Sequence, residues 1–138
     1  NRVVMEGWSY GGYMTVYALT HSEAWKAGIA GAPVTDWRFY DSVYTERYMG
    51  TPQDNPEGYE AASTLKSAKN LKGSLLLVHG TGDDNVHPQN SIHLIDALQK
   101  AGHNPELVLL PGATHSPHAP QHLWTQKKAM WDFLQKNR

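Results

Sequence analysis

Short apolar segments alternate with helix-like segments along this chain, and that alternation limits its possible folds more than any other feature. Residues 74–79 form the clearest buried strand, an apolar run of strand length. Residues 1–6, 27–30 and 106–110 are shorter segments of the same kind. Because a helix-like segment follows each of them, the pattern favours a parallel sheet covered by helices. We predict an α/β fold with about four parallel strands flanked by helices.

End signals place the helices between these strands. Gly11 and Gly12 open the first helix, and residues 60–71 are predicted to be helical in pieces. Pro88 opens a helix that Gly102 ends, because proline suits a first turn and glycine a helix C-terminus. A final helix is predicted over residues 121–136.

Composition excludes several classes of protein. The 138 residues suffice for one domain with a core, and the formal net charge of −1 offers no basic surface for nucleic acid. The apolar runs are too short for a membrane helix. We therefore expect neither a nucleic-acid partner nor a membrane span. Because the chain starts within a strand, we also expect it to be a piece of a longer protein.

The segment Gly7-Trp8-Ser9-Tyr10-Gly11 has the pattern G-x-S-x-G between a predicted strand and a predicted helix. This context is typical of a nucleophile elbow, a sharp turn that lifts a serine hydroxyl above a sheet. Backbone crowding in such a turn is expected to require both glycines. The amide of Tyr10 would point from the helix N-terminus at a developing oxyanion. The alternative is a serine in an ordinary turn.

A nucleophilic serine needs a base and an acid that orients the base. In α/β-hydrolases the acid follows the serine in the chain, and the histidine base follows the acid. Asp83 or Asp84 lies just after the strand at 74–79, and His115 lies just after the strand at 106–110. Because parallel strands end at one edge of a sheet, these residues are predicted to meet Ser9 there.

Other histidines compete with His115. His118 and His122 are the main rivals for the base, whereas His79, at a strand end, is expected to be a structural residue. His115, His118 and His122 could also form a metal site, but the intervening prolines break a helical register and no nearby carboxylate or cysteine completes the set of ligands. We expect neither a metal nor a cofactor.

An aromatic segment separates the nucleophile from the acid. Trp37, Tyr40 and Tyr44 would share one face if the segment were helical, and their spacing alone favours core packing. The functional alternative is a flat apolar wall for a substrate side chain. Arg47 is either a solvated charge or a clamp for a carbonyl or carboxylate.

Three longer stretches resemble the dipeptidyl peptidase IV family of prolyl-oligopeptidase-like serine peptidases. Residues 7–13 resemble its nucleophile segment, residues 79–87 resemble its acid loop, and residues 40–50 match its most specific signature. The loop after His115 departs from the family pattern, which leaves His118 open as the base.

The resemblance implies a role for each matching residue. Ser9 is the nucleophile, His115 the base and Asp83 the orienting acid. The carbonyl of the residue before proline would be held by Arg47 and Asn85. The pocket for proline or alanine would be lined by Tyr10, Val34, Trp37, Tyr40, Tyr44 and Val86.

The resemblance further implies an exopeptidase that releases N-terminal X-Pro or X-Ala dipeptides through an acyl-enzyme. Its partners would be peptides with proline or alanine at the second position, and it would be a periplasmic or secreted homo-oligomer. Residues 1–138 would be the C-terminal half of an α/β-hydrolase domain, without the N-terminal strands and β-propeller, and weak or inactive alone. The alternatives are a prolyl tripeptidyl or acylaminoacyl peptidase and, in another class, a non-catalytic binding module.

Overall fold

Four strands form one parallel sheet in the computed structural model, which describes residues 2–138. The strands are β1 (Val4–Trp8), β2 (Ala27–Gly31), β3 (Ser74–Gly80) and β4 (Glu106–Leu110), and they lie side by side in chain order. The predicted α/β class with four parallel strands is confirmed. β1 continues past its predicted end to Trp8, directly before Ser9. Asn1, the first residue of that prediction, lies outside the described residues.

Within residues 2–138, six helices connect or follow the strands. They are α1 (Tyr10–His21), α2 (Ser42–Met49), α3 (Pro56–Ala62), α4 (Thr64–Ser67), α5 (Gln89–Lys100) and α6 (Pro120–Lys136). The helix predicted in pieces over residues 60–71 is the end of α3, then α4, then a 3-10 turn at Ala68–Asn70. Gly102 follows α5 with φ of 84°, a conformation that glycine adopts without steric cost.

The aromatic segment differs from the continuous helix considered above. Trp37 lies in a 3-10 turn, Tyr40 in the extended link after it, and Tyr44 in α2. Two aspartates cause the break, because each caps its own short helical turn. The side chain of Asp36 accepts a hydrogen bond from the amide of Arg38, and that of Asp41 accepts one from the amide of Tyr44. The three aromatic rings therefore converge from separate elements.

Side chains alternate across β3, so the sheet has a core on each face. Leu75 and Leu77 pack with Val16 and Leu19 of α1 and with α5, whereas Leu76 and Val78 pack against α6. A third buried cluster lies at the carboxyl end of the sheet and comprises Tyr13, Val34, Trp37, Tyr59 and Val86. This cluster supports the loops that follow β1, β2 and β3.

Two glycines allow α1 to lie close to β2. A Cβ atom on Gly12 would lie 2.5 Å from the carbonyl oxygen of Gly31, which belongs to the backbone. A Cβ atom on Gly28 would meet the ends of the Thr15 and Leu19 side chains at 2.8–2.9 Å. A side-chain rotation cannot relieve the contact at Gly12, because the atom that it meets belongs to the backbone of β2.

We therefore predict that Gly12→Ala lowers the free energy of unfolding by about 1–3 kcal/mol, as overpacking does in well-packed cores. Gly28→Ala is the matched control and should cost less, since side-chain ends can rotate away. Urea unfolding followed by tryptophan fluorescence measures both. Equal costs for the two variants would show that the backbone contact is not the decisive one.

Candidate active site

Ser9 occupies the sharp turn between β1 and α1. Its backbone has φ of 59° and ψ of −114°, a conformation that L-residues seldom adopt and that costs energy. The amide of Ser9 donates to the carbonyl of Gly31 at 2.8 Å, which ties the turn to the end of β2. This backbone is the geometry expected of a nucleophile elbow.

The two motif glycines are not equally crowded. A Cβ atom on Gly7 would collide with the backbone carbonyl of Gly11, so the turn excludes any larger residue at position 7. A Cβ atom on Gly11 would have no neighbour within 4 Å among the described residues. The crowding predicted for both glycines is thus confirmed for Gly7 but not for Gly11.

The predicted acid and base meet Ser9 at the carboxyl edge of the sheet. His115 lies in the loop after β4, and its Nε2 is 3.0 Å from the hydroxyl oxygen of Ser9. The other ring nitrogen, Nδ1, is 2.8 Å from Oδ2 of Asp83, in the loop after β3. Because a carboxylate only accepts, Nδ1 carries the proton and Nε2 is free to take one from Ser9.

The carboxylate of Asp83 is fully buried and has several hydrogen-bond donors around it. Its Oδ1 accepts from the amides of Asn85 and Val86 at 3.0 and 2.9 Å, and its Oδ2 accepts from His115. These contacts fix the carboxylate in its loop. Asp84, the other acid that the sequence allowed, is exposed and makes no such contact.

His118 and His122 lie apart from this line of hydrogen bonds. They border a small cavity of about 230 Å³, together with Pro117 and Ala119. His118 is exposed, and His115 is the histidine whose ring lies between Ser9 and Asp83. Within residues 2–138 no three metal-ligating side chains form a group suited to a metal ion.

The aromatic residues predicted to line a pocket form one group of rings that includes Tyr10, the residue after Ser9 in the chain. The Trp37 ring is 5.9 Å from that of Tyr10 and 6.1 Å from those of Tyr40 and Tyr44. Val34 and Val86 are buried behind them in the third cluster. Core packing and a pocket wall are therefore both present, because Trp37 is buried while Tyr10 and Tyr44 keep exposed faces.

A cleft of about 290 Å³ lies beside these rings. Tyr10, Trp37 and Tyr44 form part of its lining, and the rest comes from Thr45, Tyr48 and Met49. No motif in the sequence assigned Thr45, Tyr48 or Met49 to a pocket. Helical spacing was the available signal, since Tyr44 and Tyr48 lie one turn apart on α2.

The two residues expected to hold a substrate carbonyl have different surroundings. Oδ1 of Asn85 accepts from the hydroxyl of Tyr40 at 2.7 Å, so the amide NH₂ of Asn85 is left as a donor. Burial, and then Asp41, raise the pKa of Tyr40, which keeps this hydroxyl protonated. Arg47 is exposed on α2 and makes no hydrogen bond or ion pair within the described chain.

Two side chains near the site had no assigned part in it. The ring nitrogen of Trp8 donates to the carbonyl of His115 at 2.9 Å, linking β1 to the histidine loop. His79 is buried between Ser91 and Val86 and satisfies both ring nitrogens, as expected of a structural histidine. Only the apolar surroundings of His79 signalled its burial, and nothing local signalled the contact of Trp8.

The family model described as the prolyl oligopeptidase family matches residues 1–138. The chain is 53% identical over 119 residues to "Probable dipeptidyl-aminopeptidase B" of Neurospora crassa, which covers 83% of this chain and 13% of that protein. It is 50% identical over 121 residues to "Probable dipeptidyl peptidase 4" of Neosartorya fischeri, covering 86% of this chain and 16% of that protein. The chain therefore spans less than a fifth of these relatives.

A solved structure has the same fold as this chain. The crystal structure of Porphyromonas gingivalis dipeptidyl peptidase 4 superimposes with a TM-score of 0.96 at 43% identity. The superposition covers 99% of this chain and 20% of that one. In residues 2–138, no helix has the length and apolar character needed to cross a membrane.

The buried ring of His79 predicts a pH dependence of stability. Burial lowers the pKa of His79 below the usual value of about 6.5. The unfolded chain therefore binds a proton first as pH falls, so stability is lost from about pH 6.5 down through the folded-state pKa. We predict that His79→Gln, which cannot titrate, flattens this part of the pH profile of urea unfolding. An unchanged slope would contradict it, and exposed His93→Gln is the control.

Proposed function

Because the chain belongs to the prolyl oligopeptidase family, we propose that it carries the catalytic triad of a serine peptidase. Ser9 is the nucleophile, His115 the general base, and Asp83 the acid that orients His115. The observation that carries this proposal is the continuous hydrogen-bonded line from Asp83 through His115 to Ser9, with contacts of 2.8 and 3.0 Å. A binding module would have no need for this alignment on a strained turn.

The reaction follows from these contacts. The Ser9 oxygen attacks the scissile carbonyl carbon and passes its proton to Nε2 of His115, while Asp83 stabilises the resulting imidazolium. The C–N bond then breaks, and His115 returns the proton to the leaving amine. Water attacks the acyl-enzyme in the second half, again giving a proton to His115, and the acid product leaves as Ser9 recovers its own.

The oxyanion that forms in each half-reaction needs donors. Tyr10 is the first residue of α1, so its N–H has no acceptor one turn earlier in the helix. In the proposed reaction this amide donates to the oxyanion, which also gains from the positive end of the helix dipole. The resemblance to the dipeptidyl peptidase IV family implies a further tyrosine donor from outside residues 1–138.

The substrate class is argued from the aromatic wall and its neighbours. Tyr10, Trp37 and Tyr44 line an apolar cleft, the Tyr40 ring stands edge-on to Trp37, and Val34 and Val86 belong to the buried cluster that contains Trp37. Such a cleft suits the compact ring of proline or the methyl group of alanine. Asn85 offers its NH₂ to the carbonyl of the substrate residue that precedes proline or alanine, and Arg47 offers a second donor to the same carbonyl. The proposed reaction is release of N-terminal X-Pro or X-Ala dipeptides, and the names of the relatives support the release of dipeptides.

Residues 1–138 are proposed to be the C-terminal half of an α/β-hydrolase catalytic domain, with further strands and a β-propeller elsewhere in the polypeptide. We also propose that the complete protein is a periplasmic or secreted homo-oligomer acting on peptides. Cell fractionation and light scattering on the complete protein test these two properties directly.

We predict that Ser9→Ala in the complete polypeptide abolishes release of Gly-Pro from a Gly-Pro-nitroanilide and abolishes labelling by a fluorophosphonate. Asp83→Asn should lower kcat by about 10⁴-fold, because the amide favours the wrong histidine tautomer. The adjacent exposed Asp84→Asn is the matched control and should retain activity. Activity surviving in Ser9→Ala would overturn the assignment.

Product analysis tests the exopeptidase specificity separately. Mass spectrometry of a peptide beginning Gly-Pro should show loss of the dipeptide, and acetylation of its amino terminus should block the reaction. Release of a tripeptide from an Ala-Ala-Pro peptide at a comparable rate would favour a tripeptidyl peptidase instead.

We further predict that the isolated 138-residue chain is weakly active or inactive on the same substrate. Loss of one oxyanion donor alone typically costs about 10²- to 10³-fold in kcat. The measurement compares turnover per folded molecule with that of the complete polypeptide. Equal turnover would mean that residues 1–138 contain every group the reaction needs.

A further inference from the structure

His79 is a buried imidazole close to the triad that the mechanism above does not use. It is the next-to-last residue of β3, and its side chain has no exposed surface. Nδ1 lies 2.7 Å from the hydroxyl of Ser91 on α5, and Nε2 lies 2.8 Å from the carbonyl of Val86. Nε2 is also 3.5 Å from Oδ2 of Asp83.

These partners fix the tautomer of the ring. A carbonyl only accepts, so Nε2 carries the proton and donates it to Val86. In a neutral ring Nδ1 is then an acceptor, and the hydroxyl of Ser91 donates to it. His79, in β3, therefore links the first turn of α5 to the loop after β3.

The anchored residue is the one that supports Asp83. The Val86 amide donates to Oδ1 of Asp83 at 2.9 Å, while the Val86 carbonyl accepts from His79. One peptide segment thus transmits the position of the buried ring to the carboxylate. Asn85, which also donates its amide to Oδ1, lies in the same segment.

We propose that His79 is a positioning residue for Asp83: held by Ser91, it fixes the Val86 peptide and so aims the carboxylate at His115. This inference rests on the proposed function of the Ser9–His115–Asp83 site. It assigns a catalytic consequence to a histidine that packing alone would class as structural.

The charge state of His79 belongs to the same arrangement. The titratable groups that act on it are Asp83, which favours the cation, and His115, which opposes it, but burial outweighs both and lowers the pKa of His79. Because His79 is neutral, it does not compete with the imidazolium that forms on His115 for the negative charge of Asp83. A protonated His79 would be a second cation 3.5 Å from the same oxygen.

The test compares three variants of the complete polypeptide on Gly-Pro-nitroanilide, with fluorophosphonate titration giving the concentration of active sites. His79→Leu removes both hydrogen bonds, Ser91→Ala removes one, and His79→Gln keeps a donor near the Val86 carbonyl. For His79→Leu we expect kcat per titrated site to fall roughly 10- to 100-fold, as small misplacements of catalytic groups do. Ser91→Ala should fall less, and His79→Gln should regain most of the loss.

The pH profile separates positioning from mere folding. A misaimed Asp83 stabilises the His115 imidazolium less, so the acid limb of kcat/KM should move to lower pH in His79→Leu and Ser91→Ala. Loss of folded protein would reduce the titrated sites and leave the limb in place. His103→Leu is the control, because His103 lies just beyond the opposite end of α5 and its ring makes a hydrogen bond to the Lys69 carbonyl, away from the loop after β3.

Three results would overturn the inference. The first is a wild-type kcat per titrated site and an unmoved acid limb in His79→Leu. The second is the same result in Ser91→Ala, if His79→Leu yields no folded protein. The third is an equal fall in kcat per titrated site in His79→Gln and His79→Leu. Each would leave the proposed function intact, since the unsubstituted complete polypeptide would still turn over substrate and react with the fluorophosphonate. If the unsubstituted complete polypeptide did neither, the proposed function itself would be wrong.

Discussion

The buried carboxylate of Asp83 is the group on which the geometry of the site depends. An unpaired buried charge is too costly to persist, so the surrounding chain must supply donors to it. Two amides of its own loop and the ring of His115 do so. The loops after β3 and β4 are also joined by their backbones, because the amide of Gly82 donates to the carbonyl of Ala113 at 3.0 Å. Asp83 and His115 are therefore held as one unit.

Ser9 reaches that unit because the sheet holds its strained turn. β1 pairs with β2 up to Trp8 and Gly31, and the Ser9 amide continues the contact onto the Gly31 carbonyl. The Trp8 ring lies directly on Gly31, where a Cβ atom would collide with it, and its ring nitrogen holds the carbonyl of His115. Strain at one residue is tolerated where neighbouring contacts fix the backbone on both sides. The sheet register thus sets the distance between the hydroxyl of Ser9 and the ring of His115.

The sequence was sufficient for the strands and for the order of Ser9, Asp83 and His115, because each of these rests on local pattern and on the geometry of parallel strands. It was insufficient for the aromatic segment, where Asp36 and Asp41 cap separate turns and break the helix that spacing alone suggested. It was also insufficient for the link from Trp8 to His115, which are 107 residues apart in the chain. Contacts of that kind depend on the assembled sheet and leave no periodic trace.

The loop after β3 joins the proposed chemistry to the proposed specificity. Asp83 faces His115, while two residues later Asn85 accepts from Tyr40, a member of the aromatic wall. Val86 packs behind that wall through its side chain and supports Asp83 through its amide. A shift of this loop would move the carboxylate, the amide donor and the back of the pocket together. In the proposed function, binding of a proline or alanine side chain and alignment of Asp83 with His115 are therefore mechanically linked. His79, anchored to α5 through Ser91, restricts movement of the loop together with the backbone hydrogen bond from Gly82 to Ala113.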